Sequence, residues 1–138
     1  MKNVYVLDAC ALVAILAAEP GAGTVRNIIR NAYKGNVHVS MNRLNLLEVY
    51  YGLFRTYSKE YADDKLKKIN KLPVVIIPEI SDAVFLEAGR LKATYKISIA
   101  DSVALAETSV SGATLVTADH HEMDVIDRNE KIRFLWIR

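Results

Sequence analysis

The chain has 138 residues, 51% of them hydrophobic and 25% charged, which suits a folded globular unit with a real core and excludes a disordered or fibrous chain. Its single cysteine, Cys10, excludes an internal disulfide and fits a reducing compartment. The net charge of +2 comes from 18 Lys and Arg against 16 Asp and Glu; if several of those acids gather in one site, the body left around them is basic and suits a polyanion.

Lys2 followed by apolar residues up to Ala18 imitates a secretory signal. Asp8 interrupts that run, and no apolar stretch reaches the ~18 residues of a membrane span, so a cytoplasmic, membrane-free protein is expected. Val4 to Leu7 is a short β-rich run of the kind buried on both faces of a parallel sheet. Ala9 to Ala18 reads as a helix, broken by Glu19-Pro20-Gly21. Ala22 to Tyr33 reads as a second helix, stopped by Lys34-Gly35-Asn36. Val37 to Ser40 is the next strand, Asn42 to Tyr57 a long helix, and Ser58 caps another that runs to about Lys71. Pro73 to Pro78 is a strand fenced by prolines. Ser81 starts a helix to about Tyr95 and Ser98 another to about Val110. Ala113 to Thr117 and Ile132 to Ile137 supply the last strands, with His120 and His121 read as solvated loop residues. This alternation predicts one α/β domain over residues 1–138, with a central five-stranded, mainly parallel sheet between two helical layers.

In such sheets, sites form beyond the carboxyl ends of the strands. Four carboxylates fall there. Asp8 closes the first strand, Asp119 follows the fourth, Asp101 lies in the first turn after Ser98, and Glu48 lies in the helix after the second strand. Each has an ordinary alternative. Asp8 and Asp119 could be helix caps or turn residues, Asp101 completes a Ser-x-x-Asp capping pattern, and Glu48 could be a solvated helix residue. The apolar company of Glu48 (Leu46, Leu47, Val49, Tyr50, Tyr51) argues against solvation, because a carboxylate there needs a partner or a cation. Clustered carboxylates repel unless a cation sits among them. A donor set of oxygens, without cysteine or obligatory histidine, points to Mg²⁺ or Mn²⁺ rather than zinc.

The segments "VLDACAL", "NLLEVYYGL", "ISIADSVALAE" and "TLVTADHHEMD", in that order before a final "IRFLWIR", resemble the PIN-domain nucleases, most closely the VapC-type toxins of toxin–antitoxin pairs. The resemblance covers essentially the whole chain. It implies a PIN-like three-layer α/β/α sandwich, Mg²⁺- or Mn²⁺-dependent endoribonuclease activity on structured RNA, and an antitoxin protein that occludes the site. It assigns metal binding and catalysis to Asp8, Glu48, Asp101 and Asp119, a supporting role to Thr117, and a further acid at Asp124. Cys10 departs from the pattern, since the family often has Ser or Thr two residues after the first Asp, and it is read as a small buried residue.

One or two Mg²⁺ ions held by the acids would activate water and neutralise charge on an RNA phosphate. Asp8 and Asp101 are expected to be the tightest ligands, with Glu48 and Asp119 completing the set. Arg43, Arg55, Lys59, Lys92 and Lys96 are the expected RNA contacts. The Asn42 helix is apolar on too many sides for a surface helix, so a homodimer contact or a groove for the antitoxin's amphipathic helix is expected there. The alternatives are a Mg²⁺-dependent phosphoryl-transfer domain on a similar sheet, and a non-catalytic RNA- or protein-binding module of the same fold.

Overall fold

A computed structural model describes residues 2–138. Its strands are β1 (Asn3–Leu7), β2 (Val37–Asn42), β3 (Val75–Ile77), β4 (Thr114–Thr117) and β5 (Arg133–Trp136). They form one sheet in the order β3-β2-β1-β4-β5, and every neighbouring pair is parallel. The helices are α1 (Ala9–Leu16), α2 (Ala22–Tyr33), α3 (Arg43–Thr56), α4 (Lys59–Ile69), α5 (Asp82–Thr94), α6 (Ile99–Ser111) and α7 (His120–Asn129).

The alternation of the central strands builds the layers. Leu7 of β1 and Val116 of β4 pack into the core shared with α1–α4. Their neighbours Val6 and Leu115 pack instead against Leu91 of α5, Leu105 of α6 and Met123 of α7. Apolar side chains on both faces are what a strand covered by helices on both sides requires. The result is the expected α/β/α arrangement, with the sheet wholly rather than mainly parallel.

Helix starts follow the caps read in the sequence. Ser58, Ser81 and Ser98 each accept a backbone N–H from the first turn of α4, α5 and α6. The breaker before α2 acts through Gly21, at φ 95°, where an added Cβ would stand 2.6 Å from the Ile137 carbonyl oxygen. Only glycine satisfies both the backbone angle and that approach.

Three expectations are corrected. His120 and His121, expected as solvated loop residues, are exposed but open α7; its apolar signal is confined to Met123, Val125 and Ile126, too brief to display a helical period. Strand β2 extends two residues past Ser40, to Asn42. The proline-fenced stretch pairs only over Val75–Ile77, because each proline lacks the donor that a ladder needs.

Candidate active site

In the sheet order, β1 and β4 are neighbours whose chains leave toward different sides, and the crevice past their carboxyl ends is where such folds hold ligands. Asp8 ends β1 there, 1% exposed. Its Oδ1 accepts the Ala11 N–H at 2.9 Å, which caps α1. Its Oδ2 accepts the hydroxyl of Thr117, the last residue of β4. Thr117 Oγ1 in turn accepts the Asp119 N–H at 3.0 Å. One fully buried hydroxyl thus ties β1, β4 and the entry to α7 together.

Asp119 caps α7, its Oδ1 accepting the Glu122 N–H at 3.3 Å. Glu122 then reaches across to α6, where its Oε2 accepts the Ser98 N–H at 3.2 Å. Ser98 Oγ accepts the Asp101 N–H at 3.0 Å. In an ordinary capping box the acid three residues after the serine would return to the serine N–H. Here Glu122 of a different helix takes that place, which leaves the Asp101 carboxylate free to face the crevice. Each of Asp101, Asp119 and Glu122 offers an oxygen within 4.8 Å of the others.

Glu48 approaches from α3. Asn45, fully buried one turn earlier, donates from Nδ2 to the Ala100 carbonyl at 2.9 Å, so α3 is held against the first turn of α6 beside Asp101. Glu48 Oε2 is buried without a hydrogen-bond partner among the described residues.

The electrostatics agree with crowding. Burial pushes the Asp8 carboxyl up to about 6, partly countered by the Thr117 and Ala11 hydrogen bonds, with Asp119 and Glu48 adding to the rise. Burial, and then the charges of Glu122 and Asp119, raise Glu48. Burial and the adjacent Glu122 raise Asp101. Glu122 is held below its usual range chiefly by a hydrogen bond from Asp101, with His121 and Lys92 adding positive charge. Asp101 is thus favoured in its neutral form and Glu122 in its charged form, because two carboxylates so close repel when both are ionised. Cys10 is pushed up to about 12 by burial and then by the same acids, so it offers no thiolate nucleophile.

The donors fit a divalent cation of the hard class. They are all oxygens, they crowd within reach of one point, and an unpartnered carboxylate oxygen lies beside them. Every one of the four expected acids stands at this crevice. Glu122 joins them unforeseen, although Asp119-x-x-Glu122 is a capping-box spacing that would have revealed both the helix and the residue. Asp124 does not join; it pairs with His120 Nδ1 at 2.8 Å, and His120 stacks on Trp136 with ring centroids 3.9 Å apart. Among the expected RNA contacts, Lys92 is near enough to act on Glu122. Arg43 opens α3 at the same edge, and Arg55 lies two turns beyond Glu48, 5.5 Å over the Tyr51 ring. Lys59 is committed to Asp63 at 2.7 Å. Lys96 lies exposed just before α6.

The PIN domain family model matches residues 5–129. Among solved structures the chain is similar to VapBC2 of Rickettsia felis bound to a DNA fragment from its promoter, at 20% identity and TM-score 0.75, covering 96% of this chain and 97% of that one. It is similar to DNA-bound VapBC of Salmonella typhimurium at 16% identity and TM-score 0.72, covering 100% of both chains. A third is VapC20 of Mycobacterium tuberculosis, a sarcin-ricin-loop-cleaving toxin, at 14% identity and TM-score 0.65, covering 85% of this chain and 91% of that one. At these identities the likeness establishes the fold. A curated relative, the NADP isocitrate dehydrogenase of Rickettsia typhi, is 22% identical over 108 residues, 78% of this chain. The chain spans 22% of that enzyme's length, and nothing in the crevice resembles a dinucleotide site.

Proposed function

This chain belongs to the PIN domain family, and from that premise we propose that it is a Mg²⁺- or Mn²⁺-dependent endoribonuclease, a single PIN unit over residues 1–138, acting as the toxin of a toxin–antitoxin pair. The observation that carries the reading is the convergence of Asp101, Asp119 and Glu122 within 4.8 Å, with Asp8 and the unpartnered Glu48 oxygen beside them. The sheet order β3-β2-β1-β4-β5 is not the 2-1-3-4-5 order of flavodoxin-like folds, which counts against a receiver-type phosphoryl-transfer domain. A binding module without chemistry would retain mutually repelling buried acids with no compensation. The similar structures, two VapBC complexes and a sarcin-ricin-loop-cleaving toxin, support an antitoxin partner and an RNA substrate, and with them a cytoplasmic setting.

Asp101, Asp119 and Glu122 would hold the cation, with Asp8 and Glu48 beside it. When bound, the cation supplies Lewis acidity and neutralises charge that builds on the phosphate. Thr117 orients the Asp8 carboxylate and, through the Asp119 N–H, fixes the first turn of α7. Asp101 and Glu122 would hold the cation in their charged forms, the cation offsetting the repulsion between them. Glu48 Oε2 accepts the proton of the attacking water as the water oxygen bonds to phosphorus. The bond from phosphorus to the leaving oxygen then breaks, and that oxygen takes a proton from solvent. Lys92, Arg43 and Arg55 hold neighbouring phosphates, with Lys59 and Lys96 further along the strand. Asp124 is left out of this set because His120 occupies it.

Exposed apolar residues on α3 (Leu47, Tyr51 and Phe54, each about half exposed) and on α5 (Phe85 and Leu86) support a covered surface, assigned here to a second copy and to the antitoxin. The test of the activity is cleavage of a structured RNA pool with Mg²⁺, Mn²⁺ or EDTA, beside an Asp101→Asn variant. Metal-dependent cutting that disappears in the variant is expected. No cutting by folded, partner-free chain, together with silent metal-binding calorimetry, would replace the nuclease with a binding module.

A further inference from the structure

Between Glu19 and Glu48 the chain carries no Asp or Glu. Within that span, Arg26, Arg30 and Lys34 follow one another at four-residue intervals along α2 and its C-cap, so they form one stripe on its surface. All three are exposed, and among the described residues none pairs with a carboxylate. Helix α4 differs: Lys59 and Lys68 are matched by Asp63 and Asp64 one turn away. A charged helix face usually looks like α4. The α2 stripe has its cations without their counterions.

The stripe borders a hollow of about 290 Å³ lined by Ile15, Arg26, Ile29, Arg30, Tyr33 and Leu72. Tyr33 is 64% exposed, and its hydroxyl donates to the Lys71 carbonyl at 3.1 Å. That bond ties the ring, at one end of the hollow, to the turn after α4. Two arginines along α2, an exposed ring tied at its hydroxyl and an apolar floor of Ile15, Ile29 and Leu72 are the ingredients of a single-strand binding groove, where phosphates track the charges and bases stack. None of these residues belongs to the acid crevice.

We propose that this α2 groove is a second RNA-binding surface, separate from the cleavage site, that grips a single-stranded segment of the RNA. An acidic amphipathic peptide could satisfy the same charges, but it would leave the fixed tyrosine face without a role. The choice of RNA over other polyanions rests on the nuclease reading; the groove itself does not.

The probe is a fluorescent 16-nucleotide single-stranded RNA, with binding followed by anisotropy in EDTA over a salt series, so that no cutting intervenes. Three proteins are compared: the unaltered chain, Arg26→Glu with Arg30→Glu, and a control with Arg128→Glu and Lys131→Glu, which changes the net charge equally at the far end of α7. Circular dichroism and thermal melts establish that all three are folded. The α2 variant is expected to bind about tenfold or more weakly, with the log–log salt slope reduced by about 1.4, at roughly 0.7 per lost phosphate contact. The control is expected to stay within about twofold. Tyr33→Ala, which leaves every charge in place, is expected to weaken binding by about 5- to 150-fold, the usual effect of losing one base stack. Equal losses in the α2 and control variants would reduce the effect to net charge and overturn the proposal. So would unchanged RNA binding in the α2 variant alongside lost binding of an acidic helical peptide. RNA held through α2 by a chain that never cuts would uphold this surface while removing the nuclease reading.

Discussion

Asp101 caps nothing with its own carboxylate, so its charge can be removed without disturbing a helix. Burial and Glu122 raise its pKa, which makes its ionised form a liability in the absence of a cation. Asp101→Asn is therefore expected to raise metal-free stability at neutral pH by about 1–3 kcal/mol, read from urea melts, while lowering cleavage by about 100-fold or more, equal to ~2.7 kcal/mol at the transition state. A variant that loses both stability and activity would show that the residue is structural. Glu122→Gln is expected to weaken Mn²⁺ binding by about tenfold or more in calorimetry, because it removes a charged cation ligand while keeping an amide oxygen able to accept the Ser98 N–H. The four expected acids were legible because each followed a recognisable strand or helix start. Glu122 was hidden because it belongs to a helix that the apolar pattern does not announce.

The capping serines and the Glu19-Pro20-Gly21 break were readable because they satisfy local chemistry, independent of distant contacts. The end of β3 was less readable, since strand length depends on pairing with β2 rather than on the apolar run itself. Gly21→Ala is expected to destabilise by about 2 kcal/mol or more, given its positive φ and the crowding against Ile137; an unchanged melting temperature would show that the turn relaxes. Helix α3 carries both Glu48 and the apolar face of Leu47, Tyr51 and Phe54. Phe54→Glu is expected to shift sedimentation toward the monomer while retaining helical content. A sedimentation profile identical to that of the unaltered chain would remove this face from the proposed contact with a second copy.

At the scale of the molecule, the crevice opposes the fold that surrounds it. A carboxyl whose folded pKa lies above its unfolded value keeps its proton longer in the native state, so stability falls as pH rises between the two values. For Asp8 that window runs from 3.8 to about 6; fully titrated, the difference is worth about 3 kcal/mol. Asp101 and Glu48 shift in the same direction. Metal-free chain is expected to lose stability from about pH 4 to pH 6 and to recover about 2.7 kcal/mol when Mn²⁺ is supplied at 100 times its Kd. A flat pH profile, or melts indifferent to Mn²⁺, would mean that the acids are not competing for a cation. The general layering was legible from the alternation of strands and helices. The meeting of α7 with α6 was not, because it depends on contacts between segments far apart in the chain.

The division between acids that cap a helix and acids that do not has an evolutionary side. Asp8 and Asp119 each hold a helix N-terminus, and Glu122 holds another across the crevice, whereas Asp101 and Glu48 hold none with their carboxylates. If the proposed cleavage becomes harmful in a lineage, a change at Asp101 or Glu48 can remove it while leaving every helix cap in place. A replacement at Asp8 or Asp119 that cannot accept the capped N–H also removes a helix cap, at a cost of about 1 kcal/mol. Among randomly mutated chains selected for lost cleavage, those changed at Asp101 or Glu48 should accordingly melt no lower than the unaltered chain, and those with Ala at Asp8 or Asp119 somewhat lower.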